Sequence, residues 1–150
     1  MNPFAAIEAL GGLSLVAIVC GLLFLEELGV PLPFAPGDLL LAVGGIAIAA
    51  GRVNPILFVG LSLLAVVTGA MLGRELFSFL GWDRLMRIAR LLHATTPLAR
   101  AGDMIDRSGW RAIFLARLIP GLRVHSTQMA GVRGMPRLRF LAGLLPAAVV

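Results

Sequence analysis

Long apolar runs dominate the chain, and short clusters of proline, glycine and charged residues separate them. The run Ala9–Leu25 carries no charge, and with the apolar residues before it the run reaches the roughly 20 residues that a membrane-spanning helix needs. A second uncharged run covers Val53–Gly73, and Asn54 with Pro55 is typical of a helix start. These two runs predict two transmembrane helices.

The first run does not continue as a regular helix. It passes into a cluster of acidic, proline and glycine residues that no continuous helix tolerates: Glu26, Glu27, Gly29, Pro31, Pro33, Pro36 and Gly37. After Asp38, the uncharged run Leu39–Gly51 is short for a span and suits a half-membrane helix. Residues 30–51 therefore predict a first re-entrant hairpin.

A second interrupted segment lies in the other half of the chain. Ala112–Ile119 is apolar except for Arg117. Pro120 and Gly121 end this run, and the polar stretch Arg123–Gln128 follows. Two interrupted segments in the two halves of a small membrane protein indicate a transport site built from opposed half-helices. We therefore expect an all-α integral membrane protein with two opposed re-entrant hairpins.

Arginines at helical spacing follow the second span. Within Trp82–Leu92 they are Arg84, Arg87 and Arg90, opposite leucine and isoleucine positions, which is the pattern of an amphipathic helix lying in the membrane interface. The arginine-rich connection continues to Arg111. By the positive-inside rule, this connection belongs on the cytoplasmic side.

Composition supports the membrane assignment. The 150 residues are 59% hydrophobic and 14% charged, whereas soluble domains have about 45–50% apolar and about 25% charged residues. The pI of about 11.5 does not indicate a nucleic-acid partner, because the arginines alternate with bilayer-length apolar runs and form no soluble basic face. We expect residues 1–150 to form one multi-pass membrane domain that is truncated within its last helix, Phe140–Val150.

Three stretches of the chain resemble the DedA family of membrane proteins, also called the SNARE-associated or VTT-domain family. FLEELGVPLPFAPGDLLLAVGG, residues 24–45, resembles the family's acid-then-proline segment, with Glu26 and Asp38 in its two acidic positions. GAMLGRELFSFLG, residues 69–81, is similar to the family's glycine-rich segment, with Phe77 or Phe79 where a tyrosine is common.

The third stretch, FLARLIPGLRVHSTQMAGVRGMPRLRF at residues 114–140, is similar to the family's most specific motif. Its matching residues are Arg117, Pro120, Gly121, Arg123, Ala130, Gly131, Met135 and Phe140. The resemblance implies re-entrant hairpins that face each other near mid-membrane, and a location in the bacterial cytoplasmic membrane. Family members usually continue through one or more further helices after the point that corresponds to Val150.

The activity that the resemblance implies is lipid translocation. Family members are linked to the flipping of undecaprenyl phosphate or phospholipid headgroups, to proton-dependent membrane physiology and envelope homeostasis, and in eukaryotic relatives to lipid scrambling. The expected partners are therefore membrane lipids, especially anionic lipids that carry phosphate, and a homo-oligomer is an open alternative.

Arg117 and Arg123 are the candidate phosphate clamp. A guanidinium group binds phosphate oxygens in a bidentate manner and stays charged, so it can replace the water that a headgroup sheds. The break at Pro120 and Gly121 allows the two side chains to converge, which a straight helix would not. The alternative is that both arginines only anchor the hairpin to lipid headgroups.

Glu26 and Asp38 are the candidate acidic partners of the clamp. We expect one carboxylate to hold an arginine in the empty state, and to take up a proton or release the arginine when phosphate arrives. The alternative for Glu26 is a solvated helix end at the interface, which is the preferred interpretation of Glu27 because Glu27 has no motif position. The alternative for Asp38 is the N-cap of a helix that begins at Leu39.

His125 is a possible accessory residue, because histidine can relay protons near neutral pH. A plain role in the hairpin turn is the simpler interpretation. A membrane enzyme acting on lipid phosphates and a structural scaffold are the rival functions. The chain has no hydrolase motif, no acidic cluster with metal-ligand spacing and only two histidines. We therefore expect no catalytic residue, no metal and no cofactor.

Overall fold

The computed structural model of the protein describes residues 12–30, 32, 36–91, 93, 95–119 and 122–149. The regular structure within these residues is entirely helical, which confirms the predicted all-α class. The helices are, in order, α1 (Gly12–Leu28), α2 (Gly37–Ala49), α3 (Pro55–Leu91), α4 (Thr95–Ser108), α5 (Trp110–Leu118), α6 (Arg123–Val132) and α7 (Arg137–Val149).

Helix α3 contains the second predicted span. The side-chain oxygen of Asn54 accepts hydrogen bonds from the backbone N–H groups of Ile56 (2.9 Å) and Leu57 (3.1 Å), which confirms the predicted helix start. Within the described residues, α3 is the one helix that is long and apolar enough to cross a membrane, and α2 is a shorter apolar helix.

Helix α3 continues beyond Gly73, where the predicted span ends. Residues 74–80 contain neither proline nor glycine, so nothing in the backbone stops the helix there. The first interruption comes at Gly81, whose φ of 73° and ψ of 171° kink the helix. Glycine has no Cβ and adopts this conformation readily.

The predicted interfacial segment forms the arm of α3 beyond Gly81. Its arginines are all exposed: Arg84, Arg87 and Arg90. Leu85 and Ala89 form its buried face, whereas Ile88 and Leu91 are exposed. The apolar face that packs against the rest of the protein is therefore narrower than predicted.

The contact between α1 and α3 depends on glycines. A Cβ added to Gly69 would lie 2.7 Å from the carbonyl oxygen of Phe24, and one added to Gly73 would lie 2.8 Å from that of Glu27. Small residues of this kind let two membrane helices approach closely. The last two turns of α1 therefore lie directly against the backbone of α3.

Phe77 fills the space at the end of α1. Gly29 has a φ of 106°, and a side chain there would collide with the Phe77 ring. Phe77 is buried, whereas Phe79 is exposed. Of the two candidates for the usual tyrosine position, Phe77 is the one that packs against the turn after α1.

Two buried apolar clusters hold the helices together. The larger one joins α3 to α4, α5, α6 and α7, and the smaller one joins α1 and α2 to the start of α3. Many large apolar side chains remain exposed, among them Leu13, Ile56 and Phe79. Exposed apolar surface on this scale would favour aggregation in water, and it suits a protein whose helices contact lipid.

Both predicted interruptions are present. Helix α1 ends at Leu28 and α2 begins at Gly37, while α5 ends at Leu118 and α6 begins at Arg123. Pro36 has an extended backbone (φ −61°, ψ 145°) immediately before α2. The other predicted break residues lie outside the described residues: Pro31, Pro33, Pro120 and Gly121.

Candidate functional site

Charged side chains from the two interrupted segments meet at one place, which we call the charge cluster: Glu26, Glu27, Asp38, Arg117 and Arg123. The two glutamates lie in the last turn of α1 and Asp38 lies in the first turn of α2. Arg117 lies in the last turn of α5, and Arg123 is the first residue of α6. The structure thus brings together all four residues that the sequence singled out, and adds Glu27.

Glu27 is the centre of the charge cluster. Its Oε1 accepts a hydrogen bond from Nη2 of Arg117 at 2.8 Å and lies 3.1 Å from Nε of Arg123. Its side chain is 0% exposed. The interpretation of Glu27 as a solvated helix end is therefore wrong.

The sequence contains a pattern that could have identified Glu27 as a buried residue. The buried residues of α1 include Leu15, Val19, Leu23 and Glu27, which follow one another at four-residue spacing. Residues at this spacing lie on one face of a helix. Glu27 therefore continues the buried face, next to the α3 glycines that leave room for it.

Glu26 pairs with the second arginine. Its Oε2 accepts a hydrogen bond from Nη2 of Arg123 at 2.8 Å, and its side chain is 14% exposed. The solvated-end interpretation is therefore wrong for Glu26 as well. Gly37 lies beside this pair, and a Cβ at Gly37 would collide with Nη2 of Arg123 and lie 2.5 Å from Oε2 of Glu26.

Asp38 lies at the outer edge of the charge cluster. Its Oδ1 is 3.7 Å from Nη1 of Arg123, and its side chain is 80% exposed. The N-cap alternative for Asp38 is wrong, because α2 begins at Gly37 and Pro36 is the N-cap residue, with no side-chain hydrogen bond. Asp38 belongs to the first turn instead, where a negative charge is favoured by the helix dipole.

Arg117 is held in a nearly closed environment. Its side chain is 2% exposed, and Nη1 lies 3.5 Å from the hydroxyl oxygen of the buried Thr127, a long contact. Among the described residues, Nε of Arg117 and Oε2 of Glu27 are buried without a hydrogen-bond partner. An unsatisfied buried polar atom costs about 1–3 kcal/mol, so this ion pair does not use its full bonding capacity.

The helix dipoles oppose some of these charges. The two glutamates lie at the negative C-terminal end of α1, and Arg123 lies at the positive N-terminal end of α6. Each such placement is unfavourable, by up to about 2 kcal/mol in a partly buried position. The ion pairs offset this cost. If Arg123 lost its carboxylates, its charge and the end of α6 would together attract an anion.

The polar residues after Arg123 lie on α6 and not in a loop. Ser126 donates a hydrogen bond from its hydroxyl to the backbone oxygen of Arg123 at 2.6 Å. Ser126 and Thr127 are buried, and His125 is half-buried in the first turn of the helix. The hairpin-turn interpretation of His125 is therefore wrong.

A second ionic group was missed by the sequence analysis. Arg74 is buried on α3, and its Nε donates to the carbonyl oxygen of Met135 at 2.8 Å. Glu75 pairs with Arg74, and it accepts a hydrogen bond from Nε of Arg137 at 2.7 Å. This group fixes the chain between α6 and α7 against α3. The sequence feature that could have indicated this group is the charged pair Arg74 and Glu75, which directly follows twenty-one uncharged residues.

An open cavity of about 370 Å³ lies beside the interruption between α5 and α6. Its lining residues are Arg100, Asp103, Met104, Arg107, Ile119 and Leu122. Within the described residues, no group of three or more His, Cys, Asp or Glu side chains could hold a metal ion. The lining includes two arginines, one aspartate and three apolar side chains, and none of these residues belongs to the charge cluster.

Several bacterial membrane proteins are similar to this chain. Inner membrane protein YghB of Escherichia coli K12 is 34% identical over 163 aligned positions, which cover 99% of this chain and 71% of YghB. The uncharacterized membrane protein Rv2637 of Mycobacterium tuberculosis H37Rv is 31% identical, over 95% of this chain and 66% of the relative. Protein DedA of Escherichia coli K12 is 28% identical, over 87% of this chain and 61% of DedA.

The chain thus spans about two thirds of the length of the curated relatives that it matches, between 61% and 71% for these three. No family model matches the chain. No solved structure matches it either.

Proposed function

The protein is a bacterial inner membrane protein of the family that includes YghB and DedA of Escherichia coli, and from this premise we propose that it transports lipids. The lipid carries a phosphate, as undecaprenyl phosphate and phospholipids do. The protein moves the headgroup across the bilayer without changing it chemically, and this transport supports the upkeep of the cell envelope.

One observation carries the proposal. Arg117 and Arg123 come from two different helices on either side of a break, and their guanidinium groups converge on one buried carboxylate oxygen of Glu27. A charge near the bilayer centre costs about 2.5–3.5 kcal/mol on insertion scales, so such charges usually serve a function. Two guanidinium groups at hydrogen-bond distance from one oxygen are suited to holding the oxygens of a phosphate.

The proposal includes a membrane arrangement. The segment 30–51, which contains α2, and the segment α5–α6 are two opposed re-entrant hairpins, and the interruptions before α2 and between α5 and α6 meet at the charge cluster inside the membrane. The basic arm of α3 lies in the cytoplasmic interface, where its arginines contact anionic lipid. The headgroup then approaches the break between α5 and α6 from the cavity walled by Arg100 and Arg107.

Proton uptake accompanies transport in this proposal. In the empty state the carboxylates of Glu26 and Glu27 hold the two arginines. A phosphate adds negative charge, so a carboxylate that gives up its arginine takes a proton. We expect translocation to be faster under mildly acidic than under mildly alkaline conditions, and measurement of the same vesicles under both conditions tests this.

The test is translocation of a fluorescent polyprenyl phosphate in proteoliposomes, with a polyprenol as the uncharged control lipid. We expect movement of the phosphate lipid by the native protein and loss of at least about 90% of the rate in Arg117→Gln and Arg123→Gln, since one lost charged contact is worth roughly tenfold or more. Arg133→Gln is the matched control, because Arg133 pairs with Asp106 on an exposed surface outside the charge cluster.

The same vesicles separate this function from its rivals. A transporter leaves its lipid intact, so we expect no release of inorganic phosphate. Release that depends on Arg117 would indicate a lipid phosphatase. The transport function would be contradicted if well-inserted native protein moved no phosphate lipid and both arginine variants gave the same result.

A further inference from the structure

The charges of the four inner residues of the charge cluster cancel one another. Glu26 and Glu27 supply two negative charges, and Arg117 and Arg123 supply two positive charges. A phosphate that entered without any other change would leave excess negative charge in a poorly hydrated place, which is strongly unfavourable. One carboxylate must therefore be displaced or neutralised when an anion binds.

We propose that Glu27 is an internal ligand that occupies the position of the substrate's phosphate, and that the substrate displaces it from Arg117 and Arg123. This inference rests on the proposed function, and it defines how the same site is regulated. Glu27 is a positioning residue in this account, because it holds the two guanidinium groups together until the phosphate replaces it.

The position of the Glu27 carboxylate supports this role. Its Oε1 is shared between the two arginines, at 2.8 Å from Nη2 of Arg117 and 3.1 Å from Nε of Arg123. A ligand that binds both guanidinium groups must place an oxygen near this point. Glu27 and a bound phosphate therefore cannot occupy the site together.

The unsatisfied atoms show that Glu27 is an incomplete ligand. Nε of Arg117 and Oε2 of Glu27 are buried without partners among the described residues. Nε and Nη2 of a guanidinium form one edge that can bind two oxygens side by side. A phosphate has more oxygens than a carboxylate, so it could satisfy this edge of Arg117 while also contacting Arg123.

The other two acids fit the role less well. Among the described residues, Glu26 forms an ion pair with Arg123 and none with Arg117. Asp38 is 3.7 Å from Arg123 and 80% exposed. Both can remain beside Arg123 after Glu27 has moved, which would keep part of the charge balance.

The test compares the binding of farnesyl phosphate and farnesol to the detergent-solubilised protein and to Glu27→Gln. Glutamine has the same shape as glutamate but no charge, so it competes less well with an anion. We expect Glu27→Gln to bind farnesyl phosphate at least about tenfold more tightly than the native protein does, with farnesol binding unchanged. Glu26→Gln should increase the affinity less, because Glu26 contacts one arginine.

Recovery of thermal stability on addition of ligand is a second readout, and a merely structural role of Glu27 would not produce it. Glu27→Gln leaves the buried Arg117 without its counter-ion, so its melting temperature should fall. Farnesyl phosphate should restore it, because a ligand that binds the folded state stabilises that state. Glu75→Gln is the matched control, since Glu75 also bridges two arginines, Arg74 and Arg137, but lies outside the charge cluster. Farnesyl phosphate should raise the melting temperature of that variant no more than it raises that of the native protein.

Each outcome decides the inference. Equal or weaker affinity of Glu27→Gln for farnesyl phosphate, with binding that still requires Arg117, would overturn the role of Glu27 and leave the proposed function intact. A lowered melting temperature that farnesyl phosphate does not restore would show Glu27 to be a structural counter-ion only. If Glu27→Gln folds only when purified with farnesyl phosphate, the inference is supported, and if it folds in neither condition the inference fails. Absence of binding by the native protein and by all variants would overturn both proposals.

Discussion

Gly37 lies beside the ion pair of Glu26 and Arg123, and its lack of a side chain makes that pair possible. The space that its Cβ would occupy is filled by Nη2 of Arg123 and by Oε2 of Glu26. Both atoms are ends of flexible side chains, so an added methyl group would displace the ion pair and leave the backbone in place. Gly37 thus affects the geometry of the charge cluster although it has no side chain that could bind or react.

We expect Gly37→Ala to reduce the translocation of polyprenyl phosphate severely, by about tenfold or more if one charged contact is lost. The matched control is Gly45→Ala on the same helix, where an added Cβ would meet nothing within 4 Å. Alanine in a helix interior is otherwise favoured over glycine by about 0.5–1 kcal/mol, so the control should be at least as stable as the native protein. Equal transport rates in the two variants would contradict this role of Gly37.

The two adjacent glutamates show what can be predicted for single residues. The sequence singled out Glu26, Asp38, Arg117 and Arg123 because their charges lie beside proline and glycine in apolar surroundings, and the structure brings them together. Glu27 was undervalued because its role depends on which face of α1 is buried, and that face depends on α3. The four-residue spacing from Leu23 to Glu27 was present in the sequence but was not used.

At the scale of helices, the end of α1 and the middle of α3 depend on each other. The backbone oxygens of Phe24 and Glu27 lie against Gly69 and Gly73, where a Cβ would approach them to 2.7 Å and 2.8 Å. Glu27 therefore lies with its backbone and Cβ against α3, while its carboxylate reaches Arg117 and Arg123. A separation of α1 from α3 would therefore disturb the charge cluster as well as the packing.

We expect Gly73→Ala to lower the free energy of unfolding by about 1–3 kcal/mol, because overpacking forces the backbones apart. Gly60→Ala on the same helix is the control, since its Cβ would meet nothing within 4 Å. Thermal unfolding in detergent gives the stability, and the translocation assay should show a loss in Gly73→Ala alone. A Gly73→Ala protein as stable as Gly60→Ala would show that the helices are less tightly packed here.

Some boundaries of the helices were predicted correctly from the sequence, and others were not. Asn54 and Pro55 marked the start of α3, and the prolines and glycines marked both interruptions. The continuation of α3 beyond the predicted span was missed, because the uncharged run ends at Gly73 and Arg74 and Glu75 follow it. In the structure Arg74 is satisfied by the carbonyl oxygen of Met135 and by Glu75, so the helix continues to Gly81. Such a partner, sixty-one residues away, cannot be inferred from local pattern.

At the scale of the whole molecule, two helix ends and two helix starts meet at one buried point. The all-α class and the two interruptions follow from the distribution of apolar, proline and glycine residues. The meeting of Arg117 with Glu27 does not, because a sequence gives the separation along the chain and not in space. The proposed transport of lipid phosphate follows from this meeting: it combines paired cations, displaceable carboxylates and an apolar exterior.

The most direct test of this account is NMR of the arginine side chains in the ¹⁵N-labelled protein during titration with farnesyl phosphate. Signals are assigned by single Arg→Gln variants. We expect the Nε–H signals of Arg117 and Arg123 to shift together and to saturate, and that of the buried Arg74, which lies outside the charge cluster, to remain unchanged. Farnesol should cause no such shift. Changes confined to exposed arginines, or none at Arg117 and Arg123 in a folded protein, would contradict the claim that these two residues bind lipid phosphate.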